Sequence, residues 1–323
     1  MNASVAAVDP MPGQADATSK SGAPASVIIL TLNEAVNIEA CLASCRWCDD
    51  VHVVDSGSTD RTVELAEAMG ATLHHHPFTS FGEQRNWAID NVGTKHDWIF
   101  HLDADERFTP ELVDEMARLL AEDPGVDGFL APQRMMMMGT WIKRSAGYPI
   151  YQVRFFHKHR MRFIDHGHGQ REDPSATTGV LKEPYVHEAF SKGIDDWISK
   201  HNRYSTLEAE QVLKGTGDQW RWADLVAGDR VRRRRAVKQM LYHVPGRPLI
   251  RFAIVLLQGG IFEGRAGLTY AHLIAMYERM IAIKVGLMRA DRAAESRRHA
   301  SNDHPGSRTD QANDALPSAS GSD

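Results

Sequence analysis

Cysteine is scarce in this chain: 323 residues hold three, Cys41, Cys45 and Cys48. A disulfide framework has nothing to rest on, and a reducing compartment suits the composition. Spacings of four and three put these thiols on one helical face as buried or half-buried side chains. A zinc site would want a fourth ligand and a tighter pair. Long apolar runs are missing too, since none reaches the roughly 18 to 20 residues that span a bilayer. The first 25 residues lack the basic start and apolar core of a signal peptide and are rich in Ala, Pro, Gly, Ser and Asp. Neither sign of charge dominates: 37 Lys and Arg face 42 Asp and Glu, a formal net charge of −5, which is no nucleic-acid signature. Internal repeats are absent.

What is present is an ordinary globular composition, 42% hydrophobic and 24% charged, enough for one large domain and an appendage. We expect a disordered tail over 1–25, a catalytic domain over 26–219, a helical basic and apolar subdomain over 220–290, and a second disordered tail over 291–323. Strand and helix patterns alternate from residue 26 onward. Ser26 to Leu32 is a buried strand. A helix over 35–47 follows, with Val36, Ile38, Cys41, Leu42 and Cys45 as its buried face. Val51 to Val54 is a second strand, 61–69 a helix stopped by Gly70, Ala71 to His74 a third strand, and 83–92 a helix. The next strand ends at Asp103. Such alternation implies an α/β fold with a mostly parallel sheet flanked by helices. Ligands of open α/β sheets collect beyond the carboxyl ends of the strands. Asn33, Glu34, Asp55, Asp60, Asp103 and Asp105 all fall there.

The segment Trp98-Ile99-Phe100-His101-Leu102-Asp103-Ala104-Asp105-Glu106 sharpens this. An apolar strand ends in three carboxylates, and like charges held together need a cation. Oxygen ligands suit Mg²⁺ or Mn²⁺, and these suit a phosphate-bearing substrate. A plain turn before a helix, where acids are also favoured, is the competing reading.

Four motifs then occur in order: Thr31-Leu32-Asn33-Glu34, Val54-Asp55-Ser56-Gly57-Ser58-Thr59-Asp60, Gln84-Arg85-Asn86, and Leu102-Asp103-Ala104-Asp105-Glu106. Together they resemble family 2 glycosyltransferases of the GT-A (Rossmann-like) fold, in the branch of the lipopolysaccharide-core β-glucosyltransferases. The likeness covers roughly residues 26–210; Lys200-His201-Asn202-Arg203-Tyr204-Ser205 and, more weakly, Gly259-Gly260-Ile261-Phe262-Glu263-Gly264 extend it. The resemblance implies that Thr31, Asn33 and Glu34 line a nucleoside pocket. Asp55 would accept a hydrogen bond from the base, and Arg85 would lie by the base or diphosphate. Asp103 and Asp105 would form a D-x-D motif for Mg²⁺ or Mn²⁺, Asp105 being the direct ligand, with His187 approaching the metal or diphosphate. It also implies a nucleotide-sugar donor, expected to be a UDP-hexose, and a hexosyl transfer with inversion.

Inversion needs a carboxylate to take the acceptor proton. Asp165 to Asp173 is rich in candidates, but His168 is followed by glycine where the family often has a His-Glu pair. Glu172 is the first candidate, with Asp173 and Glu188 behind it. Met135 to Met138 read as a core strand, or else as a pliable wall of the acceptor cleft. Trp141, Tyr148 and Tyr151 suit either sugar stacking or core packing.

The appendage holds Arg230 to Arg235 and the apolar run Leu249 to Leu257. Too short to span, this pair of features suits docking on an anionic inner-membrane face from the cytoplasm, where a lipid-linked saccharide of lipopolysaccharide or exopolysaccharide biosynthesis would be presented. A packed helical subdomain is the plainer reading. A processive synthase is disfavoured: it would need membrane spans, and Gln219-Trp220-Arg221-Trp222 has the wrong spacing for its motif. A nucleotidyltransferase is disfavoured, because no glycine-rich phosphate loop follows the first strand. Two alternatives stay open: a polyprenyl-phosphate acceptor, and a catalytically inactive GT-A binding or scaffold protein.

Overall fold

The computed structural model describes residues 22–166, 169–214 and 246–302. In order, the elements are β1 (Ser26–Thr31), α1 (Ile38–Ser44), β2 (Val51–Asp55), α2 (Thr62–Ala68), β3 (Thr72–His75), α3 (Phe81–Asn91), β4 (Trp98–Asp103), β5 (Glu106–Arg107), α4 (Pro110–Ala121), β6 (Gly128–Met137), β7 (Thr140–Trp141) and β8 (Tyr151–His157). They continue with β9 (Phe163–His166), β10 (Gly169–Glu172), β11 (Thr178–Val180), β12 (Tyr185–His187), α5 (Gly193–Lys214), α6 (Arg247–Leu257), a 3-10 turn (Gly260–Glu263) and α7 (Gly264–Asn302).

The main sheet runs β3-β2-β1-β4-β8-β6-β12-β5. Its first four strands are parallel, as the alternating pattern requires. Beyond β4 the sheet is mixed: β8 lies antiparallel to β4 and β6, and β12 is parallel to β6. Strands β1, β2 and β4 are buried on both faces, so consecutive residues serve opposite cores. Val27, Ile29, Val53 and Phe100 face the helices α1, α2 and α4, in one cluster with Ile38, Cys41, Ala66, Leu112 and Met116. Ile28, Val54 and Ile99 face α3, through Ala88 and Ile89. That is the strand period of two applied to a doubly covered sheet.

The cysteines are free thiols, Cys41 and Cys45 buried and Cys48 half-buried, as their spacing predicts. Burial pushes the Cys48 thiol up to about 12. One expected core position is corrected: Val36 is 65% exposed. Helix α1 starts only at Ile38, so Val36 sits in the turn before it, outside the helical stripe. The methionine run ends β6, with Met137 buried and Met138 exposed at a left-handed residue (φ 51°) where the chain turns into β7. Ala23 and Ala25, in the segment read as a tail, are buried in the first core.

The chain divides into two compact units, Met1–Tyr204 with Pro245–Glu278, and Ser205–Val244 with Arg279–Asp323. In the first, Met137, Ile142, Trp197, Ala266 and Leu273 form a third core. In the second, Lys284 Nζ donates to Thr206 Oγ1 at 2.7 Å and Arg292 Nη1 to the Leu213 carbonyl at 3.3 Å. Helix α7 runs to Asn302, and among its described side chains those from Asp291 on are exposed. Among the described residues, no helix is long and apolar enough to cross a membrane. The arginine run 230–235 and the segment 219–222 lie outside the described residues.

Candidate active site

The carboxyl ends of β2, β1 and β4 come together because their registers are fixed. Thr31 pairs with Asp55, and Leu30 pairs with Asp103. With strands about 4.8 Å apart, Asp55 and Asp103 flank β1 at roughly 10 Å.

The loops after β1 and β2 are tied to each other by short polar side chains. Asn33 adopts a left-handed backbone (φ 53°), which asparagine tolerates. Its Oδ1 accepts the Thr59 N–H at 2.8 Å, and its own N–H donates to Ser58 Oγ at 2.8 Å. Asp55 Oδ2 accepts the Gly57 and Ser58 N–H groups, both at 2.9 Å, and Ser58 Oγ donates to Oδ1. Gly57 (φ 99°) makes that turn affordable. Asn33 and Asp55 therefore first of all shape the loop pair, and Asp55 is buried. Thr31 Oγ1 is buried with no hydrogen-bond partner in the protein. Glu34 pairs with Lys192 and accepts from Asn37 Nδ2 at 2.7 Å. Burial raises its carboxyl despite both partners.

The three carboxylates after β4 part company. Asp103 accepts from Arg85 Nη2 at 3.1 Å and from Arg154 Nη2 at 2.6 Å. Arg154 also pairs with Glu106, whose Oε2 accepts the Asp103 N–H at 2.9 Å. Both arginines and Glu106 are buried. Burial alone would raise Asp103, but Arg154 and Arg85 hold it well below the usual carboxylate range. Glu106 is driven up by burial, against the pull of Arg154. The cations that the clustered acids demand are thus in part the protein's own.

Asp105 is different. Its partner is His187 on β12, with Nε2 3.4 Å from Oδ2, and its side chain is 19% exposed, less than the 39% of Asp103. Strand β12 pairs antiparallel with β5, which sets His187 opposite Glu106. His187 Nδ1 faces Gln133 Oε1 at 3.0 Å, so a ring that donates there turns Nε2 toward Asp105. Burial lowers the His187 pKa, but Asp105 more than offsets this and the net shift is upward.

Among the described residues no three or more His, Cys, Asp or Glu side chains form a closed metal cage. One carboxylate and one imidazole at an accessible spot still fit a hard or borderline divalent cation whose remaining ligands are water and substrate phosphates.

The base candidates separate. Glu188 follows His187 directly, and its N–H donates to the Asp105 carbonyl at 2.8 Å. Asp173 caps a turn, accepting from Ser175 N at 2.9 Å and Ser175 Oγ at 2.6 Å. Glu172 ends the β9–β10 hairpin opposite Phe163. That hairpin is docked on α3: Asn86 Nδ2 donates to the Phe163 carbonyl at 2.8 Å, and Asn86 Oδ1 accepts the Phe163 N–H at 3.0 Å. The structure brings Asp103 to Arg85, Asp105 to His187 and the Glu188 main chain to that of Asp105, while Glu172 ends the hairpin and Asp173 follows it. The His166 side chain and residues 167–168 lie outside the described residues.

Sequence reasoning missed Arg154 and Gln133. Arg154 could have been found: it stands in the apolar strand Tyr151-Gln152-Val153-Arg154-Phe155-Phe156, where a buried arginine requires anionic partners. Gln133 carried no such signal.

Known proteins similar to this chain are glycosyltransferases. The family model described as Glycosyl transferase family 2 matches residues 26–175. The lipopolysaccharide core biosynthesis glycosyltransferase LpsC of Rhizobium meliloti (strain 1021) is 28% identical over 205 residues, 59% of this chain and 72% of the relative. Uncharacterized glycosyltransferases of Rickettsia bellii (strain RML369-C) and Rickettsia prowazekii (strain Madrid E) are 39% and 32% identical, the matches covering 58% of this chain in each case and 67% and 68% of the relatives. Among solved structures, glucosyl-3-phosphoglycerate synthase from Mycobacterium tuberculosis aligns over 62% of this chain and 84% of its own, at 18% identity and a TM-score of 0.41. On the sequence matches, the chain belongs to the family 2 glycosyltransferases.

Proposed function

We propose that this glycosyltransferase is metal-dependent and inverting, and moves a hexose from a UDP-sugar to a lipid-linked saccharide of lipopolysaccharide or exopolysaccharide type, at the cytoplasmic face of the inner membrane. The observation that carries the chemistry is the accessible Asp105–His187 pair beside the arginine-held Asp103. Asp105 and His187 would hold Mg²⁺ or Mn²⁺, which when bound would stabilise the charge of the departing diphosphate. Arg85 and Arg154 keep Asp103 ionised and fixed in place. Thr31, Asn33, Glu34 and Asp55 shape the nucleoside side of the cleft; the Thr31 hydroxyl there is buried without a hydrogen-bond partner among the described residues.

A carboxylate takes the proton of the acceptor hydroxyl as its oxygen bonds the anomeric carbon and the bond to the diphosphate oxygen breaks. Glu188 is the base best supported, because its main chain is bonded to that of Asp105. Glu172 is second and Asp173, already capping a turn, third. Asp105→Asn should abolish transfer and metal-dependent donor binding with little change in the unfolding midpoint. Glu188→Gln should spare donor binding and lower kcat by roughly 10²- to 10⁴-fold. Wild-type turnover in Asp105→Asn would defeat the metal assignment. Loss in Glu172→Gln alone would move the base to the hairpin.

A further inference from the structure

The motif Gly259-Gly260-Ile261-Phe262-Glu263-Gly264 plays no part in the chemistry above, yet the fold holds it firmly. Gly259 (φ 111°) and Gly264 (φ 59°) bracket the 3-10 turn in conformations that favour glycine. The Glu263 carboxylate accepts the N–H of Arg144, the N–H of Ser145 at 3.0 Å and the Ser145 hydroxyl. A Cβ on Gly259 would come within 2.5 Å of Arg144 Cδ, so only glycine lets the two loops close on each other. What this anchoring presents is apolar. Ile261 is 66% exposed and Phe262 79%. Helix α6 adds Leu249 at 74% and Leu257 at 86%, eight residues apart and so on one face. Large apolar side chains held outward together on a fixed turn mark a contact surface.

Residues 139–152 and 246–265 contain a single acid, Glu263, and its carboxylate is occupied by the Arg144–Ser145 turn. The exposed charges of these two segments are basic, while the buried Glu278 pairs with Arg247 and Arg251 of α6. Lys143, Arg144 and Arg265 are exposed. The Arg144 guanidinium lies 5.5 Å from the centroid of the Phe262 ring, and Lys143 Nζ 4.8 Å from that of Trp141. Apolar tips with arginine and lysine set against aromatic rings match the boundary between acyl chains and anionic headgroups.

We propose that the 3-10 turn, the outward face of α6 and the Lys143–Arg144 turn form a docking surface for an anionic lipid bilayer. Ile261, Phe262, Leu257 and Leu249 enter the acyl boundary, and Lys143, Arg144 and Arg265 stay with the phosphates. The purpose of such docking rests on the lipid-linked acceptor proposed above, so the test reads vesicle binding without any sugar transfer.

Full-length protein is sedimented with vesicles of phosphatidylcholine alone and with about 30% phosphatidylglycerol. The wild type should pellet with the anionic vesicles and be released by high salt. The double variant Ile261→Ser/Phe262→Ser should lose at least roughly tenfold in vesicle affinity, and Leu249→Ser/Leu257→Ser should behave alike. Lys143→Glu/Arg265→Glu should lose the preference for anionic lipid. Nucleotide binding should be unchanged in all three, which separates this surface from the catalytic reading. Wild-type protein that ignores both vesicle types, or serine variants that bind as well as wild type, would overturn the proposal. So would light scattering that shows the serine variants breaking a dimer present in the wild type, because the face would then belong to a second copy of this chain.

Discussion

Arg154 is 2% exposed and lies between Asp103 and Glu106. Arg154 and Glu106 are both out of water, while the Asp103 side chain is 39% exposed, so removing the arginine strands above all the buried Glu106. Arg154→Met should therefore cost about 3 to 5 kcal/mol of stability, read as a fall in the urea midpoint at unchanged slope. A change under about 0.5 kcal/mol, the range of a surface substitution, would mean that Arg85 alone satisfies Asp103. At the same scale, His187 gives the site a pH dependence. Its raised pKa means that its pairing with Asp105 stabilises the ligand-free fold fully below the ordinary value of 6.5 and less as pH rises through the folded value. A cation needs the neutral ring. Metal-supported nucleotide binding should thus strengthen as pH rises through the window just above 6.5. Titrations at roughly pH 6 and pH 8 check this, with His187→Gln flattening the slope. Equal slopes in the two proteins would put His187 outside the cation site.

At the scale of elements, the parallel half of the sheet was legible and the rest was not. Val27 to Leu30 and Val51 to Val54 are short runs rich in β-branched residues, as suits strands buried on both faces, and the helix between them carries an apolar stripe. Strands β8 to β12 are short or half-buried, and their pairing depends on partners far away in sequence, such as Tyr185 with Gln133. Local pattern does not encode that. The same distinction runs through the site. Asp103 and Asp105 lie at the end of a readable strand, whereas His187 and Glu188 join them only through the β12–β5 pairing. Arg154 gave a signal in its own strand; Gln133 acts through a ring 54 residues away. The β9–β10 hairpin depends on Asn86 of the Gln84-Arg85-Asn86 motif, which makes both hydrogen bonds to Phe163. Asn86→Ala should destabilise by about 1 to 3 kcal/mol, since it leaves two part-buried main-chain groups without partners. Amide exchange over residues 163–172 should quicken in that variant. Unchanged exchange there would show that the hairpin is held by Phe163 packing alone.

At the scale of the whole molecule, the sheet gathers binding groups along one edge while the docking surface sits on α6 and the turn after it. Neither needs a spanning helix, and among the described residues none is present. Composition had already shown that much, because no apolar run was long enough. What composition could not show is that residues 245–278 belong to the same compact unit as the sheet, since that follows from Met137 and Ile142 packing on Ala266 and Leu273. The central claim is that Asp105 and His187 make nucleotide binding depend on a divalent cation. Calorimetric titration of the full chain with UDP and GDP, first with Mn²⁺ and then with EDTA, tests it most directly. UDP should bind with Mn²⁺, and this binding should be abolished by EDTA and absent in Asp105→Asn. Binding of equal strength in EDTA, or binding unaffected by Asp105→Asn, would contradict it.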